Sequence, residues 1–137
     1  PDYCISEKLA SVSNFSPGMN SAVLQKITDS YKVTSISGED DSGRFEGKTF
    51  ELRYFEIDVV HDVIDQIRIT SSKLLWMGKI SLGAKKEIVK KHIEIEPISE
   101  LNTSLVYLVC SGYGDVYATL NTDGDKIISI EIGIDRP

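Results

Sequence analysis

The residues best placed to do chemistry are His61 and the carboxylates around it. Asp62 follows His61 directly, and Asp58 and Asp65 flank the pair. An imidazole beside carboxylates could be a general base held in one tautomer, or the start of a metal site. The rest of the chain supplies no partner for either role. The other histidine, His92, lies in a distant lysine-rich run. The reading that remains is a loop histidine among surface carboxylates.

Cys4 and Cys110 are the two cysteines. Cys110 with either histidine could form a thiol–imidazole dyad. It follows an apolar run and precedes Gly112, with no basic neighbour or helix N-terminus to lower its pKa. A structural cysteine or half of a disulfide fits better. In an oxidising compartment the two would pair; in a cytosol they would be inert thiols. A lipid-anchor role for Cys4 fits poorly, because Pro1-Asp2-Tyr3 is not the small-residue run that such processing needs.

Asn121, Asp123 and Asp125 have the spacing of the first three calcium-loop ligands. Lys126 then stands where the loop needs glycine, and Ile132 where it needs glutamate. A hairpin turn explains these residues. Gly112-x-Gly114 lacks the third glycine and following helix of a dinucleotide loop, and no Walker motif, nucleophile elbow or Cys-x-x-Cys is present. No catalytic residue, metal site or cofactor is therefore expected. Lys85, Lys86, Lys90 and Lys91, beside Ile88 and Val89, read as the solvated face of a helix.

Aromatic residues offer a different chemistry. Tyr54, Trp76, Tyr107, Tyr113 and Tyr117 fall on or beside expected strands. Tyr and Trp on an exposed sheet face anchor protein interfaces, although the same residues also fill cores. Tyr54, Trp76, Tyr113 and Tyr117 are the expected partner-binding residues, with Tyr113 in its glycine turn the most exposed.

These residues hang on a pattern that repeats. Ser16, Gly18, Val23 and Leu24 match Ser81, Gly83, Ile88 and Val89 at a constant offset. Each run precedes, after a long gap, a strand with spaced isoleucines: Ile64, Ile67 and Ile69, then Ile127, Ile130 and Ile132. Such self-similarity predicts a duplicated supersecondary unit around a shared core. One domain is expected over 1–137, with repeat one at about 16–72 and repeat two at about 80–135. Residues 1–15, with Ile5, Leu9 and Val12 near helical spacing, read as a docked terminal segment.

Asn20 is a fair N-cap for a helix to about Ser30, and Lys85 to Ile93 forms the second helix. Strands are expected at Tyr31–Ile36, 48–60, Ile64–Thr70, Leu105–Val109, Val116–Leu120 and the C-terminal isoleucine run. In that last strand Ile128, Ile130, Ile132 and Ile134 share one face, with Ser129, Glu131 and Asp135 on the other. Residues 38–47 read as a polar hairpin connection. Apolar parity switches between Tyr54 and Phe55, the mark of a bulge or of a strand whose ends face different neighbours. The fold class expected is α+β: two tandem helix-plus-antiparallel-strand repeats forming one sheet, with the helices packed on one face.

This arrangement resembles the beta-lactamase-inhibitor-protein (BLIP-like) fold, and the single unit of outer-membrane lipoproteins of the SmpA/OmlA type. The residues that carry the resemblance are Ser16-Pro17-Gly18-Met19-Asn20 with Val23, Ile80-Ser81-Leu82-Gly83-Ala84 with Ile88, and the closing Gly124-Asp125-Lys126-Ile127-Ile128-Ser129-Ile130. Ala84-Lys85 departs from the family's Met-Ser/Thr, and the proline-containing element after the helix is reduced to Pro97 in the second unit. The resemblance implies non-enzymatic protein binding through an exposed sheet face and hairpin loops, and transfers no specific contact residue.

The 137 residues can bury a core without staples. The net charge of −6 disfavours nucleic acid and anionic membrane and suits a basic protein partner. No run is long and apolar enough to span a bilayer. The function expected is an inhibitor-like protein-binding module of the bacterial envelope or secreted space. Its alternatives are a cytosolic immunity protein neutralising a toxin, a ligand-binding or enzymatic domain with a histidine in its pocket, and a structural envelope domain. Oligomeric state is left open.

Overall fold

Alternating apolar and polar residues run through most of this chain, and they assemble into one nine-stranded sheet. The computed structural model describes residues 3–134. In chain order its elements are β1 (Ile5–Ser6), α1 (Glu7–Ala10), a 3-10 helix η1 (Ser21–Lys26), β2 (Lys32–Asp40), β3 (Gly43–Glu51), β4 (Phe55–Val60), β5 (Val63–Ile69), α2 (Lys86–His92), β6 (Ser99–Leu101), β7 (Ser104–Cys110), β8 (Val116–Thr122) and β9 (Ile127–Ile134). Across the sheet the strands run β1-β7-β8-β9-β5-β4-β3-β2, and β6 also pairs with β7. The β1–β7 pair is parallel; the other pairs are antiparallel.

The expected α+β class is overturned. The fold is β-rich, and its helical segments hold only four, six and seven residues. Asn20 does cap the first expected helix, its Oδ1 accepting from Ala22 N at 2.9 Å. But the stripe of Val23, Leu24 and Ile27 covers little more than one turn, too short to sustain an α-helix. It tightens into 3-10 geometry and stops at Ile27. Each of these turns gives the core one apolar residue, Leu24 and Val89.

All six spaced isoleucines are buried. Ile67 and Ile132 sit opposite each other where β5 meets β9, with Ile69 opposite Ile130. The same face continues through Ile57 on one side and Ala118, Leu120, Leu105 and Tyr107 on the other. Full burial of one such side chain contributes about 1.5–3 kcal/mol.

The two halves also repeat backbone hydrogen bonds. Gly18 N donates to Ile64 O and Ile64 N to Met19 O, both at 2.8 Å. In the other half Gly83 N donates to Ile127 O (2.8 Å) and Ile127 N to Ala84 O (2.9 Å). Gly18 and Gly83 both have positive φ, +94° and +91°, which a glycine adopts at no steric cost. A register shift falls after Asp58 in β4–β5 and after Asn121 in β8–β9.

Several expected boundaries move. The parity switch at Tyr54 is neither a bulge nor one long strand. The chain reverses at Leu52–Tyr54, with Leu52 N donating to Phe55 O at 2.9 Å, and β3 becomes β4. Residues 38–47 do make a hairpin connection, but only Asp41 and Ser42 form the turn; the rest are the outer ends of β2 and β3. Ile128 does not join the buried face; it is the extra residue of the β9 bulge and 57% exposed. In the N-terminal segment Ile5 and Val12 are buried as expected, but Ala10 is buried in place of Leu9. Asp135, Pro1 and Asp2 lie outside the described residues.

Candidate functional site

The two outer hairpins differ in what they cover. In β7 every second residue, Leu105, Tyr107 and Val109, is buried. In β2 none is, and in β3 only Thr49 is. β2 and β3 pair along nine residues each, from Lys32↔Glu51 to Asp40↔Gly43. Only Gly47–Glu51 of β3 also pairs with β4. The arm therefore carries its outer end past the rest of the sheet.

Cross-strand contacts stiffen the arm. Phe45 stands opposite Gly38 and lies over it, leaving no room for a Cβ there. Gly47 is likewise required, because a Cβ would meet the Val59 carbonyl oxygen. At the tip Asp40 Oδ1 accepts from Ser42 N (2.9 Å) and Oγ (2.6 Å), while Asp40 Oδ2 lies 3.1 Å from His61 Nε2. The Ser42 bonds, then His61, hold the Asp40 carboxyl below the usual carboxylate range.

His61 thus has a place at the tip of the arm, against Asp40 and Phe45. His61 and Asp62 are the two central residues of the β4–β5 turn, with φ of +53° and +62°. A two-residue turn with both centres left-handed prefers Asn-Gly. Non-glycine residues there cost of order 1–2 kcal/mol each. The turn is held by contacts at both residues. The His61 ring meets Phe45 edge-on with centroids 6.2 Å apart, and Ser21 N donates to Asp62 O at 2.9 Å.

Between the inner face of the arm and this turn lies an open groove of about 690 Å³. Ser35, Ser37, Glu46 and Lys48 line the arm side, His61 and Asp62 the far end, and Phe50 and Val59 give it apolar contact. Charges alternate along it, so it suits a polar backbone or a mixed protein surface better than a single strongly charged ligand.

The opposite face of the sheet is occupied by its own network. Arg68 donates to both oxygens of Asp58 (2.6 and 2.8 Å) and to Glu56 Oε2 (3.0 and 3.2 Å). Thr49 Oγ1 completes Asp58 at 2.6 Å, and Gln66 donates to Glu131 at 3.0 Å. This pairing keeps the Arg68 guanidinium more firmly protonated than a free arginine, Asp58 being the main cause.

The four expected partner-binding aromatics do not form one patch. Trp76 is a core residue, 0% exposed, with Nε1 donating to Ala10 O at 3.0 Å, and cannot meet a partner. Tyr54 sits half-buried in the β3–β4 turn under the Arg53 guanidinium. Tyr117 is half-buried on β8, which β9 and β5 separate from β4. Tyr113 is 50% exposed as expected, and its ring base rests on Gly18. Tyr107 is fully buried with its hydroxyl unpartnered, and burial, then Glu100 and Glu96, pushes its pKa up to about 12.

The cysteines are joined: Cys4 and Cys110 form a disulfide that ties the N-terminal segment to β7. That removes the Cys110 dyad and leaves Cys4 no free sulfur for a lipid. Asp123 Oδ1 accepts from Asp125 N (3.0 Å) and Lys126 N (2.8 Å), so the calcium-like spacing builds a turn. Among the described residues no group of His, Cys, Asp and Glu is arranged to hold a metal ion. The lysine run is not uniformly solvated. Lys86 is buried and donates to Leu101 O at 3.0 Å, and Lys90 bonds Glu100 at 3.0 Å. His92 is exposed at the end of α2. No described helix is long and apolar enough to cross a membrane.

Reading the residues in isolation missed the arm and the Arg68 network. The signal for the arm was the alternation Phe45, Gly47, Thr49 against Arg44, Glu46, Lys48, which continues through the stretch read as loop. No protein-family model and no curated protein matches this chain. Its fold is similar to the crystal structure of the uncharacterized protein YfeY from Escherichia coli, with a TM-score of 0.56 and 10% identity over 96% of this chain and 99% of that one.

Proposed function

We propose that this chain is a non-enzymatic, inhibitor-like protein-binding module whose recognition element is the β2–β3 arm with its groove. The observation that carries the reading is an arm of two nine-residue strands in which Thr49 alone is buried. A sheet extended so far without covering a core presents backbone and side chains to something else. The net charge of −6 favours a basic partner. The Cys4–Cys110 disulfide favours an oxidising compartment, envelope or secreted, and weighs against the cytosolic immunity version.

The test is capture from envelope and culture-fluid fractions by two baits, the whole chain and a variant whose arm tip, residues 37–46, is replaced by a tight Asn-Gly turn. A stoichiometric protein held by the first and lost by the second supports the reading. A protein held equally by both moves recognition away from the arm. A second reading rests on His61 and Asp62 lining the groove: a small-ligand or enzymatic site. It requires His61→Ala to abolish a ligand-dependent signal in a folded protein.

A further inference from the structure

The two edges of the sheet are finished differently. At one edge β7 is covered at both ends, by β1 at Val109 and Cys110 and by β6 from Ser104 to Val106. At the other edge β2 pairs only with β3 among the described residues. A long bare edge is a template for another strand, and proteins guard such edges with proline, inward charge, bulges or shortness. β2 has no proline and no bulge and is not short, and its charges, Lys32, Glu39 and Asp40, sit only at its ends. It is nine residues long, pairs with β3 without a register shift, and runs uncharged from Val33 to Gly38.

We infer that the β2 edge pairs with the β2 edge of a second copy of this chain, antiparallel, to make one sheet continuous across a two-fold axis. The charges choose this occupant. Lys32, beside Glu51 of β3 at 4.0 Å, opens the strand; exposed Glu39 closes it together with Asp40, whose carboxylate is held by Ser42 and His61, and Asp41 follows. Antiparallel self-pairing brings the basic end of each strand to the acidic end of the other. A two-fold axis normal to the sheet keeps like faces together, so opposed residues share parity. The register that pairs all nine residues obeys this. It sets Ile36 against Ile36 on the axis, Ser35 against Ser37, and Lys32 against Asp40. The pairing uses the backbone edge of β2, while the side chains of Ser35 and Ser37 also line the groove on the inner face of the arm.

Sedimentation equilibrium of the whole chain over a wide concentration range reads the association. Opposed like charges weaken strand pairing. Ser35→Glu with Ser37→Glu sets Glu against Glu twice across the axis and is expected to weaken dimerisation about tenfold. Ser35→Glu with Ser37→Lys sets opposite charges together and is expected to restore or exceed wild-type association. It also suits Lys48 and Glu46, the β3 neighbours of Ser35 and Ser37. Matching thermal melts of the dilute variants control for folding. A wild type that stays monomeric, or two variants that associate equally, would overturn the inference.

Discussion

The two halves share their inner hairpins and differ in their outer ones. β4–β5 and β8–β9 have matching register shifts and lie side by side at the middle of the sheet. Outside them, β7 buries alternate residues and is joined to the N-terminal segment by β1 and the disulfide. β2 buries nothing and is longer than β7. One scaffold thus carries a closed wing that holds the fold together and an open arm that adds little to the core. What differs between like units is where specific function is best sought.

The largest expected effect separates core from arm. Ile67→Ala or Ile130→Ala should cost about 2–5 kcal/mol in urea unfolding. Ile36→Ala, on half-exposed β2, should cost about 1 kcal/mol or less. Equal costs would erase the distinction between the wings. Next is the closed wing's staple. The cysteines are 106 residues apart, and Cys4→Ser with Cys110→Ser should lower stability by about 2–5 kcal/mol.

How much of this was legible depended on how local each signal was. The six isoleucines and the paired glycines Gly18 and Gly83 were readable, because burial and positive φ leave marks on individual residues. The Asp123-Gly124 turn was readable for the same reason. The first helix was over-read, because a one-turn apolar stripe does not distinguish a 3-10 turn from an α-helix; the second formed as α2, within a residue of its expected bounds. The arm was under-read because both its faces are polar, so the alternation that marks a half-buried strand is faint there. Trp76 was misplaced since nothing local separates an interface tryptophan from one that bonds Ala10 across the core. Arg68 was missed because its partners, Glu56 and Asp58, lie on another strand, and Thr49, which bonds Asp58, on a third.

Glycines sharpen the comparison at a smaller scale. Gly18→Ala combines φ of +94° with a Cβ 2.6 Å from Tyr113 Cγ. It should cost more than Gly43→Ala at the arm tip, where φ is +106° but the space is open. The strain alone is about 1–2 kcal/mol. Smaller again is Tyr107→Phe, which removes a buried hydroxyl without a partner and should change stability by about 1 kcal/mol or less, in the stabilising direction. Below pH 10, the ordinary tyrosine value, Tyr107 keeps its proton folded and unfolded, and the wild type has its full stability with respect to that group. As the pH climbs from there toward about 12 the unfolded chain ionises first, so the wild type loses stability that Tyr107→Phe keeps, and alkaline melts of the two proteins should differ accordingly. The smallest effect belongs to the arm tip. Asp40 titrates below its ordinary value, so the ionised tip contact holds above about pH 4 and loosens as the pH falls through the folded pKa. Ser42→Ala should raise that pKa, seen by carboxyl NMR titration.

Hydrogen exchange of the dilute protein tests most directly whether the arm stands free while the other wing is closed. Amides of 32–46 are expected to exchange by local opening, well before those of β7 and β8, which should wait for global unfolding. Protection of 32–46 equal to that of 104–122 in a monomeric sample would contradict the account, because the arm would then belong to the core.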